Sequence, residues 1–99
     1  MIAFIRTACI APGKTRSMIE FAHEIATHFK NTYDVSLEIL LPVGGNPSRI
    51  AWSGRYKDLA AMENVTLKLT DDKAYWAVVE KHTADFVPGS LHDSIWRTT

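Results

Sequence analysis

Cysteine is scarce, neither charge sign is in excess, and no long apolar run occurs. Cys9 stands alone, which excludes an intramolecular disulfide and a cysteine-rich zinc site. Lys plus Arg is 11 and Asp plus Glu is 11, so the formal net charge is zero with neutral histidines. A nucleic-acid binder needs a cationic surplus to replace phosphate counterions, so nucleic acid is not expected as the partner. The opening Met1-Ile2-Ala3-Phe4-Ile5 is interrupted at Arg6. That run is too short for a signal-peptide core, and far shorter than the roughly 20 residues of a membrane helix. A cytoplasmic protein without a membrane partner is therefore expected. What remains is 99 residues, 46% hydrophobic and 22% charged, with three Trp, three Tyr and four Phe. Those numbers suit a single globular domain, 1–99, with enough large side chains for a core.

Hydrophobic periodicity divides the chain. Residues 2–11 are rich in Ile, Phe, Thr and Ala and predict a strand ended by Pro12-Gly13. Ile2, Phe4, Ala8 and Ile10 fall on one side, and Ala3, Ile5 and Cys9 on the other, so cover is expected on both faces. Met18, Phe21, Ala22, Ile25, Ala26 and Phe29 repeat at helical spacing and predict a helix over about 14–31. Ser17 and Glu20 fit a capping box for it, with Thr15 as the cap one turn earlier. A second strand over 34–42 carries Val35, Leu37, Ile39 and Leu41 on one side. Gly44-Gly45-Asn46, flanked by Pro42 and Pro47, makes a turn into a third strand with Ile50, Trp52, Gly54 and Tyr56 in register. Asp58 is placed to cap a helix over about 59–70. Asp71-Asp72 breaks that helix and caps another over about 73–86. Val87-Pro88-Gly89-Ser90 stops the last helix, and residues 91–98 predict a final strand.

The order β-α-β-β-α(α)-β is the split-βαβ, ferredoxin-like arrangement of the α+β class. It predicts a four-stranded antiparallel sheet with helices on one face. The other face then needs a partner, and Trp52, Trp96 and the spare Ile and Phe positions are expected to supply its apolar surface. Leaving such side chains in water costs roughly 1.5–3 kcal/mol each. A homodimer, sheet against sheet, is the expected answer.

Ala11-Pro12-Gly13-Lys14, Gly44-Gly45-Asn46-Pro47, Trp52 and Val87-Pro88-Gly89-Ser90 punctuate this pattern. With them the chain resembles the dimeric α/β-barrel superfamily, which includes antibiotic-biosynthesis monooxygenase-like and NIPSNAP-like proteins. The resemblance implies a barrel formed across a dimer and a pocket between sheet and helices in each subunit. It also implies activities ranging from cofactor-free oxygenation to haem breakdown and isomerisation. The haem-degrading branch is matched by His82 before the final strand. It further requires an Asn in the first strand and a Trp about ten residues before the His. The first strand has Arg6 and Thr7 but no Asn, position 72 is Asp, and Trp76 stands at the wrong spacing. Haem degradation is not carried over.

Several residues carry candidate chemistry. Tyr75, Val79, His82 and Phe86 share one face of the last helix, with Trp76 and Val78 beside it. His82 is either a hydrogen-bonded core residue or a pocket acid–base group, with the Tyr75 phenol as its companion. Arg6 interrupts an apolar strand and must find an acceptor. Glu38 and Asp93 are candidates, as is an anionic or polar group of a ligand. The expected site therefore has His82 and Tyr75 in catalysis, with Arg6, Trp52, Trp76 and Phe86 holding a small apolar ligand, fatty-acyl or aromatic. No metal or flavin motif occurs, so no cofactor is expected and any oxygenation would be cofactor-free. A non-catalytic binding or interaction module is the alternative. His23 and His28 lack the i, i+4 spacing of a zinc helix and predict solvated or boundary positions. His92 has no companion ligand nearby, and Cys9 reads as a small buried hydrophobe. Ala8 stands where a phosphate-binding loop would need Gly, so Gly13-Lys14-Thr15 reads as a plain strand-to-helix turn.

Overall fold

A computed structural model describes residues 1–99. Four strands, β1 (Ile2–Cys9), β2 (Leu37–Leu40), β3 (Arg49–Tyr56) and β4 (His92–Arg97), form one sheet in the order β2-β3-β1-β4. All three pairings are antiparallel. Helices α1 (Thr15–Tyr33), α2 (Leu59–Thr70) and α3 (Lys73–Lys81) complete the ferredoxin-like fold. No helix is long and apolar enough to cross a membrane.

The apolar stripe of α1 lies as its spacing predicts: Met18, Phe21, Ala22, Ile25 and Phe29 are all buried. They meet Ile2, Ala8, Ile50, Trp52 and Tyr56 from the sheet in one core. Met18 and Ile50 are sealed completely. The start of α1 differs from expectation. Lys14 is the N-cap and makes no side-chain cap, while the Ser17 hydroxyl turns away to bond Asp85. The two aspartate caps hold: Asp58 accepts from the Ala61 amide at 2.8 Å and Asp72 from the Tyr75 amide at 3.1 Å.

The last helix is shorter than its periodicity suggests. It ends at Lys81, and Thr83–Asp85 continue as a 3-10 turn. Asp85 explains the stop. Its carboxylate gathers Ser17 and His82, and its backbone carbonyl accepts from the Ala11 amide at 2.8 Å. Phe86 is already extended and bridges to Ile10.

Strand alternation places Phe4, Arg6, Trp52, Gly54 and Tyr56 toward the helices. In that register Arg6 lies between Trp52 and Asp93, and Phe4 between Gly54 and Ile95. Trp52 is 5% exposed, so it belongs to the helix-side core and not to the open face assigned to it from sequence. Trp96 is on that open face, 62% exposed, with Leu40 exposed and Ala3, Ile5 and Cys9 half-buried. Thr7, Ser53 and Ser94 are interleaved with them, and Glu38, Arg49, Arg55 and His92 stand on the same side, which makes the open face a mixed apolar and polar surface.

Candidate functional site

Between the sheet, α1, α3 and residues 87–91 lies a cavity of about 340 Å³. Phe4, Arg6, Leu37, Trp52 and Tyr56 rise from the sheet, and Phe21, Ile25 and Phe29 line it from α1. Tyr75 and Val79 close it from α3, with Phe86, Val87 and Leu91 at the chain segment beyond. Leu37 reaches its place in the lining by lying over Gly54. A Cβ at Gly54 would stand 2.7 Å from the Leu37 side chain, so only glycine lets Leu37 lean across the sheet there. Twelve of the sixteen lining residues are hydrophobic, and Arg6 is the one charged group among them.

Arg6 is held in a two-pronged pair. Its Nε donates to Asp93 Oδ1 at 2.7 Å and its Nη2 to Asp93 Oδ2 at 2.9 Å. These bonds raise the Arg6 pKa above its ordinary value, and the Tyr75 phenol adds a smaller contribution. The same pair holds the Asp93 carboxyl below its ordinary value. The guanidinium carbon also sits 5.6 Å from the centre of the Phe4 ring, within cation–π range. Burial raises the Tyr56 phenol, and Arg6 partly offsets the rise. The cavity thus has apolar walls and one polar end, where a guanidinium and two phenols stand. Trp52 brings its ring but no free donor, because its Nε1 donates to the Ala22 carbonyl at 3.4 Å.

Of the six residues expected at the site, Arg6, Tyr75, Trp52 and Phe86 line the cavity; His82 and Trp76 do not. His82 lies behind the wall, 7% exposed, with its ring 5.1 Å from Phe21. Its Nδ1 is 2.8 Å from Asp85 Oδ2 and 3.3 Å from Ser17 Oγ, and Ser17 donates to Asp85 at 2.6 Å. Its Nε2 faces Glu24 Oε1 at 3.5 Å. Both the hydroxyl and the carboxylate therefore meet the same ring nitrogen. A nucleophilic triad needs them on opposite nitrogens. Burial works to raise the Asp85 pKa, and the bonds from Ser17 and His82 outweigh it, leaving the carboxyl below its ordinary value. This cluster ties α1 to the 3-10 turn. Trp76 is 44% exposed on the outer side of α3, its Nε1 donating to the Thr70 carbonyl at 3.1 Å.

A second tie was not foreseen. His28 Nε2 is 2.6 Å from Asp72 Oδ2, which also accepts from the Tyr33 hydroxyl. His28 is a partner of the α3 cap, not merely a boundary residue. Burial works to raise Asp72, and the bonds from Tyr33, His28 and the Tyr75 amide lower it to about 2. Burial and Asp72 together push the Tyr33 phenol to about 12. His23 and His92 are exposed, and no group of three or more His, Cys, Asp or Glu gathers as a metal site.

No family model matches the chain, and no curated protein matches its sequence. Solved structures do match its fold. A NIPSNAP domain protein from Burkholderia xenovorans aligns over 100% of this chain and 95% of its own, with TM-score 0.84 and 14% identity. A NIPSNAP family protein from Agrobacterium tumefaciens aligns over 99% and 92%, with TM-score 0.82 and 18% identity. A candidate antibiotic biosynthesis monooxygenase from Deinococcus radiodurans aligns over 100% and 93%, with TM-score 0.75 and 10% identity. At such identities the likeness speaks for the fold: the chain has the ferredoxin-like α+β architecture of NIPSNAP and antibiotic-biosynthesis monooxygenase-like proteins.

Proposed function

We propose that this chain forms a homodimer through its open sheet face and binds a small apolar ligand, fatty-acyl or aromatic, between sheet and helices. The observation that carries the binding reading is the cavity itself: apolar walls with a single charged residue at one end. Its volume lies toward the lower end of the roughly 300–1,000 Å³ of small-molecule sites. That size favours a bicyclic ring or a medium-length chain. Arg6 and Tyr75 would hold the ligand's polar end, and Phe21, Trp52 and Phe86 would pack its body. The exposed Trp96 and Leu40, with Ile5 between the strands that carry them, support the sheet-to-sheet contact.

A second reading, cofactor-free monooxygenation or isomerisation, is favoured by Arg6 beside Tyr75. Donors aimed at a ketone oxygen would stabilise the negative charge of an enolate. No carboxylate or imidazole lines the cavity, so the substrate would have to ionise readily. Oxygen uptake on addition of a ligand, or its conversion to an isomer without oxygen uptake, separates this reading from binding alone.

Val79→Trp tests the site, since Val79 borders the cavity from α3. Native mass spectrometry of wild-type protein should show small apolar molecules retained or taken up. The Val79→Trp protein should keep its fold and lose at least ten-fold in affinity. Unchanged uptake by a folded Val79→Trp protein would refute the site. Sedimentation should give a dimer at micromolar concentration and a monomer for Ile5→Asp.

A further inference from the structure

The polar end of the cavity is charged in one residue and neutral as a whole. Asp93 occupies the Nε and Nη2 edge of the Arg6 guanidinium through both carboxylate oxygens. Asp93 is itself outside the cavity lining, while Arg6 is inside it. The remaining guanidinium N–H groups and the Tyr75 and Tyr56 hydroxyls are therefore the donors left for a ligand. They come with no uncompensated positive charge. We propose that Asp93 determines the charge of the molecule accepted: it selects apolar ligands ending in an uncharged carbonyl against their carboxylate counterparts. The inference rests on the binding reading above and names the chemical class of the ligand.

The physical reason is desolvation. A carboxylate entering this cavity gives up part of its water among apolar walls, and the cation it meets, itself about one-third exposed, is already neutralised by Asp93. It would also lie close to the negative charge of Asp93. A ketone, ester or amide oxygen loses far less hydration and accepts the same hydrogen bonds. With Asp93 changed to Asn, the amide oxygen can still accept one N–H, but the guanidinium regains its net charge. A carboxylate would then complete the pair.

Three probes of nearly equal shape separate the terms: 2-acetylnaphthalene, 2-naphthoate and 2-ethylnaphthalene, titrated by tryptophan fluorescence at neutral pH. Wild-type protein should bind the ketone at least ten-fold more tightly than the carboxylate and several-fold more tightly than the hydrocarbon. Asp93→Asn should bring the carboxylate level with the ketone or ahead of it. Wild-type protein that binds 2-naphthoate as tightly as the ketone overturns the proposal, whatever becomes of the variant. So does a folded Asp93→Asn protein with an unchanged preference. Equal binding of all three probes removes the selectivity and leaves the cavity reading standing, whereas binding of none removes both.

Discussion

Two groups of polar side chains stand apart, one at the polar end of the cavity and one behind its wall, and they differ in where their unused hydrogen-bonding capacity points. Arg6, Tyr75 and Asp93 form the half-open group. Asp93 takes part of the guanidinium, and Arg6 and Tyr75 still border open space. Ser17, His82 and Asp85 form the closed group. Their bonds are made to one another, and the remaining His82 nitrogen faces Glu24 without meeting the cavity. Histidine has the more versatile chemistry in solution. Here arginine and tyrosine have the access. A side chain's reactivity matters to a ligand only when some of its donors or acceptors reach the place the ligand occupies.

Removing one member of the closed group should give the largest effect. Asp85→Ala leaves the buried His82 and the half-buried Ser17 without their shared acceptor, and should lower stability by about 3 kcal/mol in urea unfolding. Affinity for 2-acetylnaphthalene should be unchanged in the protein that remains folded. Lost affinity with retained stability would reverse the roles of the two groups. Arg6→Leu should do the opposite. Its pair with Asp93 is about one-third exposed, so stability should change by less than about 1 kcal/mol. Affinity for the ketone probe should fall about ten-fold.

The tie between α1 and α3 adds a pH signature of its own. Asp72 is held at about 2 against an ordinary value of 3.8, so its contribution is complete above the ordinary value and disappears as pH falls toward 2. Tyr33 is held at about 12 against 10.0, so its contribution is complete below the ordinary value and disappears as pH rises toward 12. Each should be worth on the order of 1 kcal/mol near the surface. Asp72→Asn should flatten the acid limb of a stability–pH curve, and Tyr33→Phe the alkaline limb. The smallest effect belongs to Trp76→Phe. It loses one exposed bond to Thr70, and should shift stability by less than about 1 kcal/mol without altering affinity.

Much of the architecture was legible because periodicity is a local signal. The stripe on α1, the aspartate caps and the strand order all follow from residues within one element or from standard connections. Face assignment was harder. Trp52 fits either side of a sheet by composition, and its burial depends on α1 lying over β3. The end of α3 was misplaced because Val79, His82 and Phe86 keep helical spacing while Asp85 closes the helix through partners far away in sequence. Ser17 looked like a cap for the same reason: its true acceptor is 68 positions distant. At the site, Arg6 announced itself by interrupting an apolar strand, and Asp93 was one of its expected acceptors. Phe21, Tyr56 and Val79 gave no comparable signal, since cavity walls and cores use the same side chains.

Methyl-resolved NMR during titration with 2-acetylnaphthalene tests the location of binding most directly. The methyls of Ile25, Leu37, Val79 and Leu91 should shift together and saturate, while Leu40 on the opposite sheet face and Leu67 on α2 stay still. Saturating shifts at Leu40 or Leu67, with the four cavity residues unmoved, would contradict a ligand site beneath the helices.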